Sequence, residues 1–318
     1  MADLTEEERG LAWIFGSSRS GSTWLLRMLG ELPRAVPVDD PHLGHHLGVW
    51  RPLPLAWAAS EEPVPELTTL LELKREEPGY FFSERHREAW WEPLRTLIAA
   101  RFEAQRRDDR GRPTKPIYII KEPGSHVAPL LRELFPRSRL IFLLRDGRDV
   151  VDSWLDAYSP GSWAIAGGAF PVARHGRLAL IRWLASVWAY RTEAVLRAFE
   201  AHPRSHRVLV RYEQLRERPE DGLEAICGML GLDPAPATAA AARHSFEALP
   251  AEARGPSQAA RAARPGGWRE NLTATEQAAL HEALGETLLR AGYGAEDAPA
   301  RPSSANEATA SFSPPTGG

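Results

Sequence analysis

Two arginines, Arg19 and Arg145, each stand in a turn between an apolar strand and a helix, a placement suited to gripping an anion. The first turn, Gly16-Ser-Ser-Arg-Ser-Gly-Ser-Thr23, follows the apolar run Leu11 to Phe15, and a helix is expected from near Ser22. Loop amides left free by the turn, the unpaired N–H groups of the helix and its positive dipole end all point at one spot. A phosphate or sulfate fits there. The second turn, Arg145-Asp-Gly-Arg148, follows the buried-strand pattern Arg139 to Leu144, and a helix expected from near Asp149 carries Ser153 on its second turn. Arg145 offers a planar fork and Ser153 a hydroxyl, the chemistry of a second anion pocket. The alternative is a solvated turn in which Arg145 pairs with a neighbouring aspartate.

The first turn nearly spells the nucleotide-binding pattern G-x-x-x-x-G-K-[ST]. Gly16, Gly21 and Thr23 are in register, but Ser22 stands where the lysine belongs. A triphosphate site uses that lysine on its outer phosphates, whereas the only cation in this loop is Arg19.

At this point the chain resembles the sulfotransferases that take 3′-phosphoadenylyl sulfate (PAPS) as donor and release PAP. Arg19-Ser-Gly-Ser-Thr-Trp24 looks like their 5′-phosphosulfate loop. Leu140-Ile-Phe-Leu-Leu-Arg-Asp-Gly-Arg-Asp-Val-Val-Asp-Ser153 resembles their 3′-phosphate motif, including the eight-residue step from Arg145 to Ser153. Val208-Leu-Val-Arg-Tyr-Glu-Gln-Leu215 is similar to a strand ending in Tyr-Glu, followed here by Pro219 and by Leu230-Gly231. Arg261-Ala-Ala-Arg-Pro-Gly-Gly-Trp-Arg-Glu-Asn271 resembles the late segment that closes over the 3′-phosphate. The four matches run in the family's order from Ile14 to Asn271.

The resemblance implies residue roles. Arg19, Ser20, Gly21, Ser22 and Thr23 would cradle the 5′ end of the donor; Arg145, Ser153, Arg261, Gly266 and Gly267, with Trp268 beside them, would hold the 3′-phosphate. Trp24 and Tyr212 match positions that contact the adenine, although a core-facing aromatic also suits Trp24. Sulfuryl transfer passes in line between two oxygens through a loose transition state, so positioning and electrostatics do most of the catalysis. Arg19 matches the cation beside the transferring group, and Lys121, ending the strand Ile117 to Ile120, matches a second, though it also reads as an exposed lysine closing a strand. Some relatives place a histidine two residues after that lysine; here Glu122 and Pro123 follow, so a carboxylate is the expected base. Counting without gaps from Arg19 brings the glutamate pair of protein-tyrosine sulfotransferases onto Asp39 and Asp40, just beyond a short strand at Ala35 to Val38. Asp40 is favoured, with Asp39, Glu122 and His126 as alternatives; Glu122 also suits an ion-pair partner for Lys121 or Arg19. General-base assistance of this kind is worth about 10²–10⁴ in rate. His42, His45 and His46 lie close by, but without matched ligands elsewhere they are read as substrate-facing or solvated, and no metal is expected.

These residues need elements to position them. Strand patterns at 11–15, 35–38, 117–121, 139–144 and 207–211 alternate with helices, as a parallel α/β sheet covered on both faces demands, and the resemblance makes this the P-loop nucleotide-kinase-like sulfotransferase fold. Helices are expected at Glu66 to Lys74, Glu84 to Arg106, Arg177 to Ala201 and Leu223 to Leu230, with an irregular Pro52 to Pro65 and a charged loop Gln105 to Pro116. Tyr80-Phe-Phe82 and Trp90-Trp91 line the acceptor pocket or form a helical aromatic stripe on the sheet. The loop Tyr158 to Gly176 reads as an acceptor-gating lid or a disordered surface loop.

Composition sets limits. The 318 residues are 43% apolar, enough for a large core, and the motifs span too much sequence to belong to separate units, so one domain over 8–296 is expected with a disordered tail over 297–318. A net charge of −3 gives no broad basic face, so nucleic acid is not an expected partner. One cysteine, Cys227, excludes an intramolecular disulfide and reads as core packing. No apolar N-terminal run has signal-peptide or membrane-span length, so a cytoplasmic, bacterial-type enzyme is expected, acting on a small-molecule, lipid-like or carbohydrate hydroxyl. Its oligomeric state is not legible here. The competing classes are a P-loop small-molecule kinase, which requires magnesium, and a non-catalytic nucleotide-binding protein, for which loss of Asp40 is silent.

Overall fold

The computed structural model describes residues 8–47, 76–79, 81–108, 115–167 and 176–294. The expected features at 52–65, 66–74 and 297–318, with Tyr80, lie outside them. In chain order the elements that matter are β1 (Leu11–Phe15), α1 (Ser22–Leu29), β2 (Ala35–Asp39), α2 (Leu43–His46), α3 (Arg87–Asp108), β3 (Ile117–Lys121), α4 (Ala128–Leu134) and β4 (Arg139–Leu144). They continue with α5 (Gly147–Ala157), α6 (Trp163–Ala166), α7 (Arg177–Ala201), β5 (Arg207–Arg211), α8 (Tyr212–Glu217), α9 (Pro219–Leu230), α10 (Ala235–Ala241), α11 (Trp268–Asn271) and α12 (Ala274–Arg290).

The strands form one parallel sheet in the order β2-β3-β1-β4-β5. Successive side chains of a strand point to opposite faces, and both faces here are apolar, which is why β1 is buried along its whole length. Leu11, Trp13 and Phe15 join Val36, Ile120, Phe142 and Leu144 in one core, while Ala12 and Ile14 join Ile119, Ile141, Leu143 and Val210 in the other. The long helix α7 lies over the first face, packed on α12, α5 and α4. Residues of α1, α9 and α10 fill the second, with Cys227 fully buried among them. Burying one such large apolar side chain stabilises the fold by roughly 1.5–3 kcal/mol.

β1 and β4 are neighbours, and the chain leaving β1 runs to β2 on one side while the chain leaving β4 runs to β5 on the other. That arrangement opens a crevice beyond the carboxyl ends of β1 and β4, where ligands meet open α/β sheets. The loop after β1 and the turn after β4 both empty into it.

Candidate active site

The first loop is built by its glycine. Gly21 sits at φ 86°, and a Cβ there would lie 2.7 Å from the Tyr212 ring, so only glycine lets the loop turn into α1 against that aromatic. Arg19 also has a positive φ, 73°, which turns its side chain out of the loop. Its Nε donates to Ser153 Oγ at 3.1 Å and its Nη2 to the carbonyl of Ala259 at 2.6 Å, while the guanidinium lies over the Trp163 ring. Arg145 answers from β4: Nη1 donates to the Arg19 carbonyl at 2.8 Å, and the guanidinium rests 4.4 Å from the centre of the Tyr212 ring. Burial first, and the Arg145 charge second, push the Arg19 guanidinium down to about 10. Two like charges held this close are at an electrostatic cost that an anion would relieve.

These loops, with the segment 259–264, enclose a cleft of about 290 Å³. It is lined by Arg19, Gly21, Ser22, Thr23, Trp24, Arg145, Ser153, Tyr212 and Arg261 of the residues expected from sequence. Trp24 meets Tyr212 edge to face, with ring centres 6.4 Å apart. The two anion cradles expected at a distance thus open into one space, and Arg19 reaches from its own loop to Ser153 of the other. Ser20 is buried beneath the loop. Gly266, Gly267 and Trp268 do not line the cleft, and neither do Asp39, Asp40, Lys121 and Glu122. Trp268 is 1% exposed, its ring held between the guanidinium groups of Arg148 and Arg269, so it supports the wall from behind and presents no ring to a ligand.

A second group lies across β3 from the loop. Asp39 is paired with Lys121 in the β2–β3 register, and Lys121 Nζ stands 2.5 Å from Asp39 and 3.0 Å from Asp40. The same nitrogen donates to Thr23 Oγ1 at 2.9 Å, which ties both carboxylates to the first loop. Lys121 is buried, unlike the exposed strand-end lysine that was the alternative. Glu122 is buried too, but it is an anchor: its two oxygens accept the backbone N–H groups of Gly124 at 2.7 Å, Leu43 at 2.8 Å and Gly44 at 3.4 Å. Burial raises its pKa, and those backbone bonds offset part of the rise. Its oxygens are thus turned to α2 and to Gly124. His126 Nε2 lies 3.3 Å from the Gly44 carbonyl, with its ring stacked on Tyr190. Among the described residues no group of three His, Cys, Asp or Glu is arranged to hold a metal.

Of the aromatics, Phe82 and Trp90 pack together in the core, Trp90 donating to the Ser83 carbonyl at 2.9 Å, while Phe81 is exposed. Sequence reasoning overlooked Asp149, Asp152 and Glu213. The clue was the spacing of Asp149, Asp152 and Asp156, which sets three acids on one face of a helix. Glu213 Oε1 accepts the N–H of Asp146 at 3.0 Å and so steadies the turn that carries Arg145.

A parallel sheet with two strand-to-helix turns gathering cations at its carboxyl edge defines an α/β protein of the phosphate-loop type. Within that class, the chain belongs to the sulfotransferase family, whose model matches residues 12–236. Mouse sulfotransferase SULT7A1 complexed with PAP has a similar structure, with a TM-score of 0.53 and 12% identity over 88% of this chain and 84% of that one. The sulfotransferase domain of the Synechococcus PCC 7002 olefin synthase aligns with a TM-score of 0.49 and 18% identity over 87% of this chain and 93% of that one. Among curated proteins none matches this chain. No helix of the described residues is long and apolar enough to cross a membrane.

Proposed function

We propose that the protein moves a sulfuryl group from PAPS to a hydroxyl of a small-molecule, lipid-like or carbohydrate acceptor, and that it works in the cytoplasm. The observation that carries this reading is the convergence of Arg19, Arg145 and Arg261 on one cleft with Ser22, Thr23, Ser153, Trp24 and Tyr212. A nucleotide bearing a ribose phosphate and a phosphosulfate matches that set of cations and aromatics. PAP, held by the mouse protein of like fold, is the product we assign to the cleft.

When bound, the donor supplies the SO₃ group and a phosphate leaving group. Arg19, Arg145 and Arg261 hold its oxyanion charge, Ser22 and Thr23 offer loop amides at the start of α1, and Trp24 and Tyr212 flank the base. Asp40 takes the proton of the acceptor hydroxyl as that oxygen bonds to sulfur and the bridging bond to phosphate breaks. Lys121 fixes the orientation of Asp40 and, through Thr23, its distance from the loop. The cations that such a transfer needs are thereby side chains.

The test is incubation with PAPS and an acceptor library, scored by mass for a product heavier by one SO₃ together with release of PAP. Sulfated product without added magnesium supports the reading. Crystals soaked with PAP in which Arg19 and Arg145 touch nothing of the nucleotide would refute it.

A further inference from the structure

Arg261 comes from a stretch that contributes no strand to the sheet, yet its guanidinium lines the cleft. What holds it there is the acidic face of α5. Asp152 accepts from both terminal nitrogens of Arg261, Nη1 at 3.2 Å and Nη2 more closely, and from Asn271 Nδ2 at 2.9 Å. One turn earlier Asp149 accepts the backbone N–H of Gly266 at 2.7 Å and of Trp268 at 3.3 Å. Both carboxylates are almost fully buried, and neither lines the cleft. Behind them Asp146 grips Arg148, on which the Trp268 ring lies, so the far end of the segment is fastened beside Arg145.

We infer that Asp152 is the positioning residue for Arg261: with Asp149 it straps residues 261–271 across α5 and aims the Arg261 cation at the phosphate-bearing ribose of the donor. The inference rests on the donor reading above. A free arginine side chain loses much of its rotamer freedom when it is fixed on a ligand, and a buried carboxylate fixes it beforehand. A guanidinium has five N–H donors; with Nη1 and Nη2 each turned to Asp152, the Nε–H and the outer hydrogens stay available for phosphate oxygens. Although burial alone would lower the pKa of Arg261, its bond to Asp152 and that carboxylate's charge outweigh this and raise it, so the cation is secured. Asp152 also neutralises part of the charge that it aims. Its contribution is therefore geometric, and its removal should be felt only by ligands that reach Arg261.

The experiment is calorimetric titration of the full chain with PAP and with adenosine 5′-phosphate, which lacks the ribose 3′-phosphate. Asp152→Asn should weaken PAP by about tenfold or more, the scale of a hydrogen bond to a charged group, and leave adenosine 5′-phosphate within about twofold. Arg261→Ala should show the same selective loss, and the double variant should lose little more than either single one, the signature of one coupled pair. Asp152→Glu, which keeps the charge, should recover part of the PAP affinity. Retained adenosine 5′-phosphate binding certifies a folded variant in the same titration. Equal weakening of both nucleotides, or PAP affinity unchanged in Asp152→Asn, overturns the inference. A wild-type protein that does not prefer PAP overturns the donor reading itself, and this inference with it.

Discussion

The two sides of the crevice treat positive charge in opposite ways. On the donor side, Arg19 and Arg145 meet a hydroxyl, carbonyls and aromatic faces, and among the described residues neither is in ion-pair contact with a carboxylate. On the other side Lys121 is bracketed by Asp39 and Asp40. Arg261, the third cation of that side, is paired with Asp152, but Arg19 and Arg145 lie close together without such a contact and favour a ligand that brings negative charge. Lys121, compensated twice, instead holds two carboxylates in place, the proposed base Asp40 among them. On the proposed reading one side binds and the other reacts, and Thr23, bonded to Lys121, joins them.

The division can be broken from either end. The largest expected effect is on the reacting side, where Asp40→Ala should lower turnover by about 10²–10⁴-fold while PAP still binds, measured by steady-state kinetics beside calorimetry. Unchanged turnover would remove Asp40 from the chemistry. Arg145→Ala should do the opposite, weakening PAP by about 10–10³-fold, because it takes a largely desolvated cation from beneath the ligand. A smaller effect sharpens the contrast. Saturation with PAP at about 100 times its Kd should add about 2.7 kcal/mol to stability and raise Tm by several degrees, and in the Arg145→Ala variant the rise at that same PAP concentration should shrink or vanish. Smallest is Glu122→Gln, which turns an amide N–H₂ toward backbone N–H donors. It should cost about 1–3 kcal/mol in thermal unfolding and leave PAP affinity close to that of the wild type.

The sheet was largely legible because buried parallel strands read as short apolar runs. All five runs form strands, with β2 extending one residue further to Asp39 because it pairs with Lys121. α1 and α7 begin at the expected Ser22 and Arg177, α3 begins at Arg87 after a single 3-10 turn from the expected Glu84, and two other helix starts were read late. Asp146 caps α5 by accepting the Arg148 N–H at 2.9 Å, so the helix begins at Gly147, ahead of the expected Asp149. The turn-like Pro219-Glu-Asp-Gly222 is the first turn of α9, with proline at its start and two acids facing the dipole. In α3 the helix runs to Asp108, past the expected Arg106. The strand order was not written in any single stretch, and neither were the Asp152–Arg261 pair or the bond from Arg19 to Ser153. Such contacts join residues more than a hundred positions apart, where spacing along the chain carries no information.

The reach of Arg19 to the Ala259 carbonyl, 240 positions away, bears on how the enzyme comes into being. The stretch around Ala259 is synthesised 240 residues after Arg19, so a nascent chain that stops before it lacks one wall of the cleft. On the proposed reading such a chain cannot hold the nucleotide, and a ribosome-stalled series lengthened past Ala259 should acquire nucleotide retention in a single step.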